Sequence, residues 1–130
     1  MSGQGQLPPD CAGIEAIARG AIAGLPEPFA AHLDGVLLIV EDFADEEILA
    51  SMQIDDAFEL TGLYTGRPVG EEPQSGDTPA TIHLFRRPIL DEWAGGTDTL
   101  EHLVAHVVIH EIGHHFGLSD DAMHAIEAQA

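Results

Sequence analysis

Hydrophobic residues recur at helical spacing near the start of the chain and again in its last third. The first pattern predicts a helix over residues 11–25, with Asp10 as its N-cap and Pro26 as its end. The apolar run at residues 36–40 favours a buried strand because it is short, continuous and rich in β-branched side chains. A short helix over residues 45–52 is predicted to follow this strand.

The middle of the chain predicts two further strands. Residues 60–68 form a strand or a turn around two glycines, and residues 80–90 begin as a strand that ends before Pro88. We expect a short helix to begin only after this proline, at residues 91–93. Residues 81–85 are a candidate edge strand that binds an extended peptide substrate, and the polar residues 69–79 are a candidate mobile loop.

The last hydrophobic pattern predicts a helix over residues 98–116, capped by Thr97 or Thr99. At about 100° per residue, apolar side chains cover most of its circumference, which indicates a helix buried on nearly all sides. A row of histidines at every fourth position interrupts this pattern and must face a polar cleft or solvent. The row consists of His102, His106, His110 and His114.

Length and composition favour one small domain. The chain has 130 residues, 45% of them hydrophobic, and we expect an α+β fold with a small mixed sheet packed on helices. A flexible segment at residues 1–9 is expected to precede a single domain over residues 10–130. No apolar run reaches membrane-spanning length, Cys11 is the only cysteine, and the first residues resemble no secretory signal. We therefore expect a cytoplasmic protein.

The charge of the chain limits its partners. Acidic residues number 23 against four basic residues, all arginine, and the net charge is −19. Such a charge argues against nucleic acids and anionic membranes as partners, and it attracts cations and basic peptides. It also serves solubility, whatever the function of the chain.

The segment HEIGH at residues 110–114 is an H-E-x-x-H motif. Residues four apart on a helix lie on one face, so His110 and His114 can both reach one zinc ion at about 2.0–2.1 Å. Glu111 lies a quarter-turn away, where a carboxylate can take a proton from a water that zinc has acidified. This is the arrangement of zinc metalloproteases.

The motif extends in a way that predicts a third ligand. Gly117 follows His114 by three residues, and Asp120 follows Gly117 by three. A glycine can take the left-handed conformation that ends a helix, after which the carboxylate of Asp120 can approach the ion. Two histidines and one carboxylate leave a fourth position open for water, as a catalytic zinc requires. Three other residues remain alternatives to Asp120: Asp121, His124 and Glu127.

The extended motif, H-E-x-x-H-x-x-G-x-x-D, resembles the metzincin-type zinc signature with aspartate as its third ligand. It occurs together with the segments GLYTG at residues 62–66 and LFRRP at residues 84–88. With these segments, the chain resembles the small acidic zincin-like metallopeptidase family of bacteria over roughly residues 35–124.

This resemblance implies a minimal zincin fold with zinc held by His110, His114 and Asp120. It further implies that Glu111 acts as the general base. Classical metzincins place a methionine turn beneath the metal, well downstream of the motif. Met123 lies only three residues past Asp120 and does not match that position.

Other polar residues have a functional and a structural interpretation. The Tyr64 hydroxyl could donate to an oxyanion or contact a substrate, or the ring could serve core packing. Arg86 and Arg87 could pair with the many carboxylates, or one could orient the carboxylate of a ligand or of Asp120. His83, on a predicted strand, is expected to be a packing or surface residue.

The sequence therefore predicts a zinc metallopeptidase that hydrolyses peptide bonds, with Zn²⁺ as cofactor, a zinc-activated water and Glu111 as general base. Its expected partner is a peptide or protein substrate. The alternative is a zinc-binding domain with a structural or protein-interaction role and little or no proteolytic turnover.

Overall fold

The helices and strands form an α+β fold in nearly the predicted order. The computed structural model describes residues 9–25, 36–66 and 80–116. The candidate loop at residues 69–79, and all but Pro9 of the predicted flexible segment, lie outside these ranges. The elements in chain order are α1 (Cys11–Ala23), β1 (Leu37–Glu41), α2 (Glu46–Ser51), a 3₁₀ helix (Ala57–Glu59), β2 (Gly62–Thr65), β3 (Thr81–Phe85), α3 (Arg86–Gly95) and α4 (Leu100–Phe116).

Side-chain caps determine where the long helices begin. The Asp10 carboxylate accepts a hydrogen bond from the Gly13 N–H at 2.9 Å, which confirms the predicted cap of α1. The Thr99 hydroxyl accepts one from the His102 N–H at 3.1 Å. Helix α4 therefore begins at Leu100, two residues later than predicted, because the second of the two candidate threonines caps it.

The sheet places β3 between the other two described strands, parallel to β1 and antiparallel to β2. The prediction that residues 81–85 form a sheet edge was therefore wrong. Both faces of β3 carry buried side chains, such as Leu84 and Phe85, and both of its sides are hydrogen-bonded. Among the described strands, the edges are β1 and β2.

Strand β1 is less buried than its apolar run suggested. Leu37 is 48% exposed and Ile39 is 39% exposed, whereas Leu38 and Val40 pack against the hydrophobic core. The prediction of a buried strand was wrong for one face of β1, because a continuous apolar run does not reveal whether both faces are covered. At this sheet edge, the helices of the described ranges cover only one face.

Helix α3 follows β3 directly and contains the proline that was expected to precede it. Pro88 occupies the first turn of α3, where the backbone N–H groups need no partner within the helix. The prediction of a helix beginning at residues 91–93 was wrong by about one and a half turns.

The paired arginines at the start of α3 have structural contacts. The Arg86 guanidinium donates to the Pro9 carbonyl oxygen at 2.6 Å and to the Asp42 carboxylate at 3.1 Å. The Arg87 guanidinium lies over the Phe43 ring, 5.7 Å from its centroid. These contacts fix the start of α3 against the segment that follows β1, as the structural interpretation predicts.

Helix α4 lies at the centre of the hydrophobic core, against α1, β2 and α3. Its residues Val104, Val108 and Ile112 are fully buried, which confirms the helix predicted to be buried on nearly all sides. None of the helices in the described ranges has both the length and the hydrophobicity needed to cross a membrane. The fully buried aliphatic residues of the main core are Ile14, Ala18, Ile82, Leu84, Ile89, Val104, Val108 and Ile112.

Candidate metal centre

The histidine row of α4 lies on the exposed side of the helix, as its spacing predicts. His102, His106, His110 and His114 are all exposed, while the residues around them are mostly buried. At the start of the row, the Nδ1 atom of His102 lies 3.3 Å from the Asp98 carboxylate. The polar side of this otherwise buried helix therefore opens to solvent.

The last two histidines of the row lie close enough to share an ion. Their ring centroids are 5.0 Å apart, and the planes of the two rings meet at 67°. Two imidazoles bound to one tetrahedral zinc at about 2.0–2.1 Å have centroids roughly 5 Å apart. The donor chemistry and the spacing of His110 and His114 therefore fit zinc.

Glu111 differs from its histidine neighbours because it is buried. Only 6% of the residue is exposed, and its Oε1 atom lies 3.1 Å from the Nδ1 atom of His114. The carboxylate also accepts a hydrogen bond from the backbone of Tyr64, on β2. Burial raises the pKa of the Glu111 carboxyl, and the adjacent imidazoles and this backbone contact oppose the rise only in part. A carboxylate with a raised pKa is a stronger base.

Strand β2 comes very close to α4, and Gly62 permits this approach. A Cβ atom at this position would lie 2.7 Å from the Cγ1 atom of Val107 and 3.4 Å from the Cγ atom of Glu111. Sequence reasoning did not single out Gly62 as a site residue. A glycine inside a strand pattern is nevertheless a signal that another element approaches the backbone closely.

A cavity of about 170 Å³ opens beside Glu111. Its lining comes from α4, from α3 and from the residue before β2. A second cavity, of about 190 Å³, lies between α1 and α4 and is lined mainly by small apolar residues. His106 borders both cavities. The lining of the first consists of Thr61, Glu92, His106, Val107, His110 and Glu111.

The other candidate side chains of the sheet have packing contacts. The Tyr64 side chain packs against the hydrophobic core, and burial raises the pKa of its phenol. The proposed role of its hydroxyl stays a prediction. His83 packs beside Phe85, with ring centroids 6.3 Å apart, and its Nε2 atom lies 3.2 Å from the Thr65 hydroxyl.

The predicted third ligand, Asp120, lies outside the described residues, as do Asp121, His124 and Glu127. Within the described ranges, no group of three or more His, Cys, Asp or Glu side chains is placed to hold a metal ion. Those ranges contain two of the three predicted ligands. The complete ligand set therefore stays a prediction.

Comparison with known proteins gives a family for this chain. No curated protein sequence matches this chain. The family model of zincin-like metallopeptidases matches residues 33–130, which include the whole sheet and the histidine row of α4. The chain therefore belongs to the zincin-like metallopeptidase family.

Proposed function

We propose that this protein is a zinc-dependent peptidase in which Glu111 is the general base. The observation that carries the proposal is the contrast between one buried carboxylate and two exposed imidazoles within five consecutive residues. A site that only holds zinc for stability needs no buried carboxylate beside its ligands, because three or four ligating side chains suffice.

The residues of this site suit both zinc binding and proton transfer. His110 and His114, with Asp120 as the proposed third ligand, would hold the zinc. Zinc, when bound, supplies a Lewis acid that polarises a carbonyl and lowers the pKa of a coordinated water to about 7. The Glu111 carboxylate takes the proton of the attacking water and then passes it to the amine that leaves the cleaved peptide bond.

The edge of β2 is the proposed position of the substrate main chain, in place of residues 81–85. The Phe85 N–H donates to the Thr61 carbonyl at 2.9 Å, and the antiparallel register continues from there. Because hydrogen-bonded pairs alternate along such a ladder, the peptide groups of Gly62 and Tyr64 point away from β3, and the Tyr64 backbone donates to Glu111. An extended peptide that pairs with the Gly62 part of this edge would lie beside Glu111.

Zinc content and peptide cleavage, measured on the same preparations, test the proposal. We expect one zinc per chain in the wild type by elemental mass spectrometry, and loss of zinc in His110→Ala, His114→Ala and Asp120→Ala. Zinc should raise the melting temperature of the wild type, and a chelator should lower it, because metal that binds only the folded chain stabilises it. His102→Ala is the matched control, since it removes another exposed histidine of the same row.

Glu111→Gln separates zinc binding from catalysis. This variant should keep its zinc and cleave a peptide library about 10²–10⁴-fold more slowly than the wild type, because it lacks the general base. Full activity in Glu111→Gln would contradict the mechanism. Stoichiometric zinc without cleavage of any peptide by the wild type would instead favour a structural or interaction role.

Tyr64→Phe tests the Tyr64 hydroxyl separately from the ring. The ring still fills its place in the core, so zinc content should be retained. A fall in kcat with an unchanged KM would assign the hydroxyl to transition-state stabilisation. An unchanged kcat would leave core packing as the role of this side chain.

A further inference from the structure

The cavity beside Glu111 contains a second carboxylate, which the proposed mechanism does not use. Glu92 lies on α3 and borders the same cavity as His106 and His110, which lie on α4. Its residue is exposed, and the salt bridges and hydrogen bonds of the described residues do not include its carboxylate. Glu92 can therefore bind a group that enters the cavity.

Apart from the zinc proposed to bind His110, the charged side chains that line this cavity are acidic. Its lining contains two carboxylates and no lysine or arginine. The arginines of the described residues are used elsewhere: Arg19 pairs with Glu15, and Arg86 pairs with Asp42. Arg87 lies over the Phe43 ring. Within the described ranges no arginine is left for Glu92, so a bound molecule can supply its positive group, and the net charge of −19 attracts such molecules.

The size and position of the cavity suit one side chain of a substrate. Its volume of about 170 Å³ is between five and six times the ~30 Å³ that one water molecule occupies in the liquid. Glu111 and His110 form one part of its lining and Glu92 another. A group held by Glu92 would therefore be close to the bond that Glu111 acts on.

We propose that Glu92 determines specificity by binding a cationic group of the peptide substrate next to the cleaved bond. The proposal rests on the proposed peptidase function. The cationic group is an ammonium or guanidinium that donates hydrogen bonds to the Glu92 carboxylate. Two sources supply it: the side chain of lysine or arginine, and the free α-amino group of a peptide whose terminal bond is cleaved.

The test begins with zinc-loaded full-length protein and a peptide library, with cleavage sites identified by mass spectrometry. The best substrate is then remade with Arg, Lys, Ala or Glu beside the cleaved bond, each with a free and with an acetylated N-terminus. We expect kcat/KM to be about tenfold higher for a cationic peptide than for its Ala counterpart. Loss of this preference on acetylation alone identifies the α-amino group as the source.

Substitutions at position 92 test whether this residue carries the preference. In Glu92→Gln the ratio of kcat/KM between cationic and Ala peptides should fall to within about twofold of one. In Glu92→Lys the preference should reverse toward the Glu peptide, which a merely structural role of Glu92 would not produce. Glu101→Gln, an exposed carboxylate on α4 away from the cavity, should keep the wild-type ratio. A preference that persists in Glu92→Gln would overturn the proposal.

Direct binding distinguishes failure of this proposal from failure of the peptidase function. The same peptides are titrated into zinc-loaded Glu111→Gln and into the Glu92→Gln/Glu111→Gln double variant, and affinity is followed by fluorescence anisotropy. Cationic peptides should bind about tenfold more weakly to the double variant. That result without cleavage by the wild type would reject the peptidase and keep the Glu92 site. Equal affinity in both proteins would reject the Glu92 site.

Discussion

The two edges of the sheet differ in what lies beside them. At β1, the outward side chains Leu37 and Ile39 are 48% and 39% exposed, and the helices of the described ranges cover only the inner face. At β2, helix α4 comes so close that a Cβ on Gly62 would collide with Val107. The backbone of Tyr64 reaches the Glu111 carboxylate at this second edge.

This difference shows how a buried carboxylate is provided with a partner. An edge strand has backbone N–H groups that its sheet does not use. Where a helix packs against such an edge, these groups can hydrogen-bond a side chain of the helix that burial would otherwise leave without a partner. Glu111 is held in this way from β2, and α4 makes no comparable approach to β1.

Among substitutions that test the difference between the two edges, Gly62→Ala should change stability and peptide cleavage most. The new Cβ has its nearest contact at 2.7 Å, so β2 and α4 must move apart. Overpacking of this kind costs about 1–3 kcal/mol of unfolding free energy, measurable by urea denaturation. Because the Tyr64 backbone then shifts relative to Glu111, peptide cleavage should fall by up to about 10²-fold.

Gly20→Ala is the matched control for this substitution. Gly20 lies inside α1, and a Cβ there meets no other atom within 4 Å. Alanine should therefore stabilise the protein by about 0.5–1 kcal/mol through its higher helix propensity. Equal stability of Gly62→Ala and the wild type would show that β2 and α4 are not tightly packed.

A smaller effect on the free energy of unfolding is expected from the titration of His83, on the strand between the two edges. Its Nδ1 atom is buried and has no hydrogen-bond partner within the described ranges. Burial lowers the pKa of His83, against the opposing charges of Glu41 and Asp45. Below about pH 6.5 the unfolded chain therefore binds a proton at His83 more readily than the folded chain does. The free energy of unfolding decreases for this reason as the pH falls.

His83→Leu removes this titration and leaves the other histidines in place. The unfolding free energy of the wild type relative to His83→Leu should decrease as the pH falls from 7 to 5, by at most about 1.4 kcal/mol per unit. Urea denaturation of both proteins, in the presence of a chelator, measures this difference. A difference that stays constant or grows would mean that His83 accepts a proton in the folded protein.

The smallest effect is expected at the β1 edge. Ile39→Thr keeps a β-branched residue at a position that is 39% exposed, so the unfolding free energy should change by no more than about 0.5 kcal/mol. Thermal and urea denaturation measure the change, beside Gly62→Ala under the same conditions. A loss above about 1.5 kcal/mol would show that the two edges are equally constrained.

The sequence pattern predicted those features of the fold that depend only on residues close together in the chain. The cap at Asp10 was predicted, and Thr99 was one of two candidate caps, because a cap bonds an N–H only two or three residues away. The burial of α4 and its exposed histidines follow from a period of about 3.6 residues. Strand order and the covering of each face were not predictable in this way. The apolar run of β1 suggested a buried strand, and β3 was a candidate edge strand.

By itself, the sequence determined the H-E-x-x-H motif, the helix that carries it, and the face on which His110 and His114 meet, because helical geometry links residues four apart. The tertiary structure alone decided which strand lies beside Glu111, and therefore which backbone group bonds it. It also decided that Glu92, from another helix, shares a cavity with this carboxylate. Such contacts join residues far apart in the chain, and no local periodicity records them.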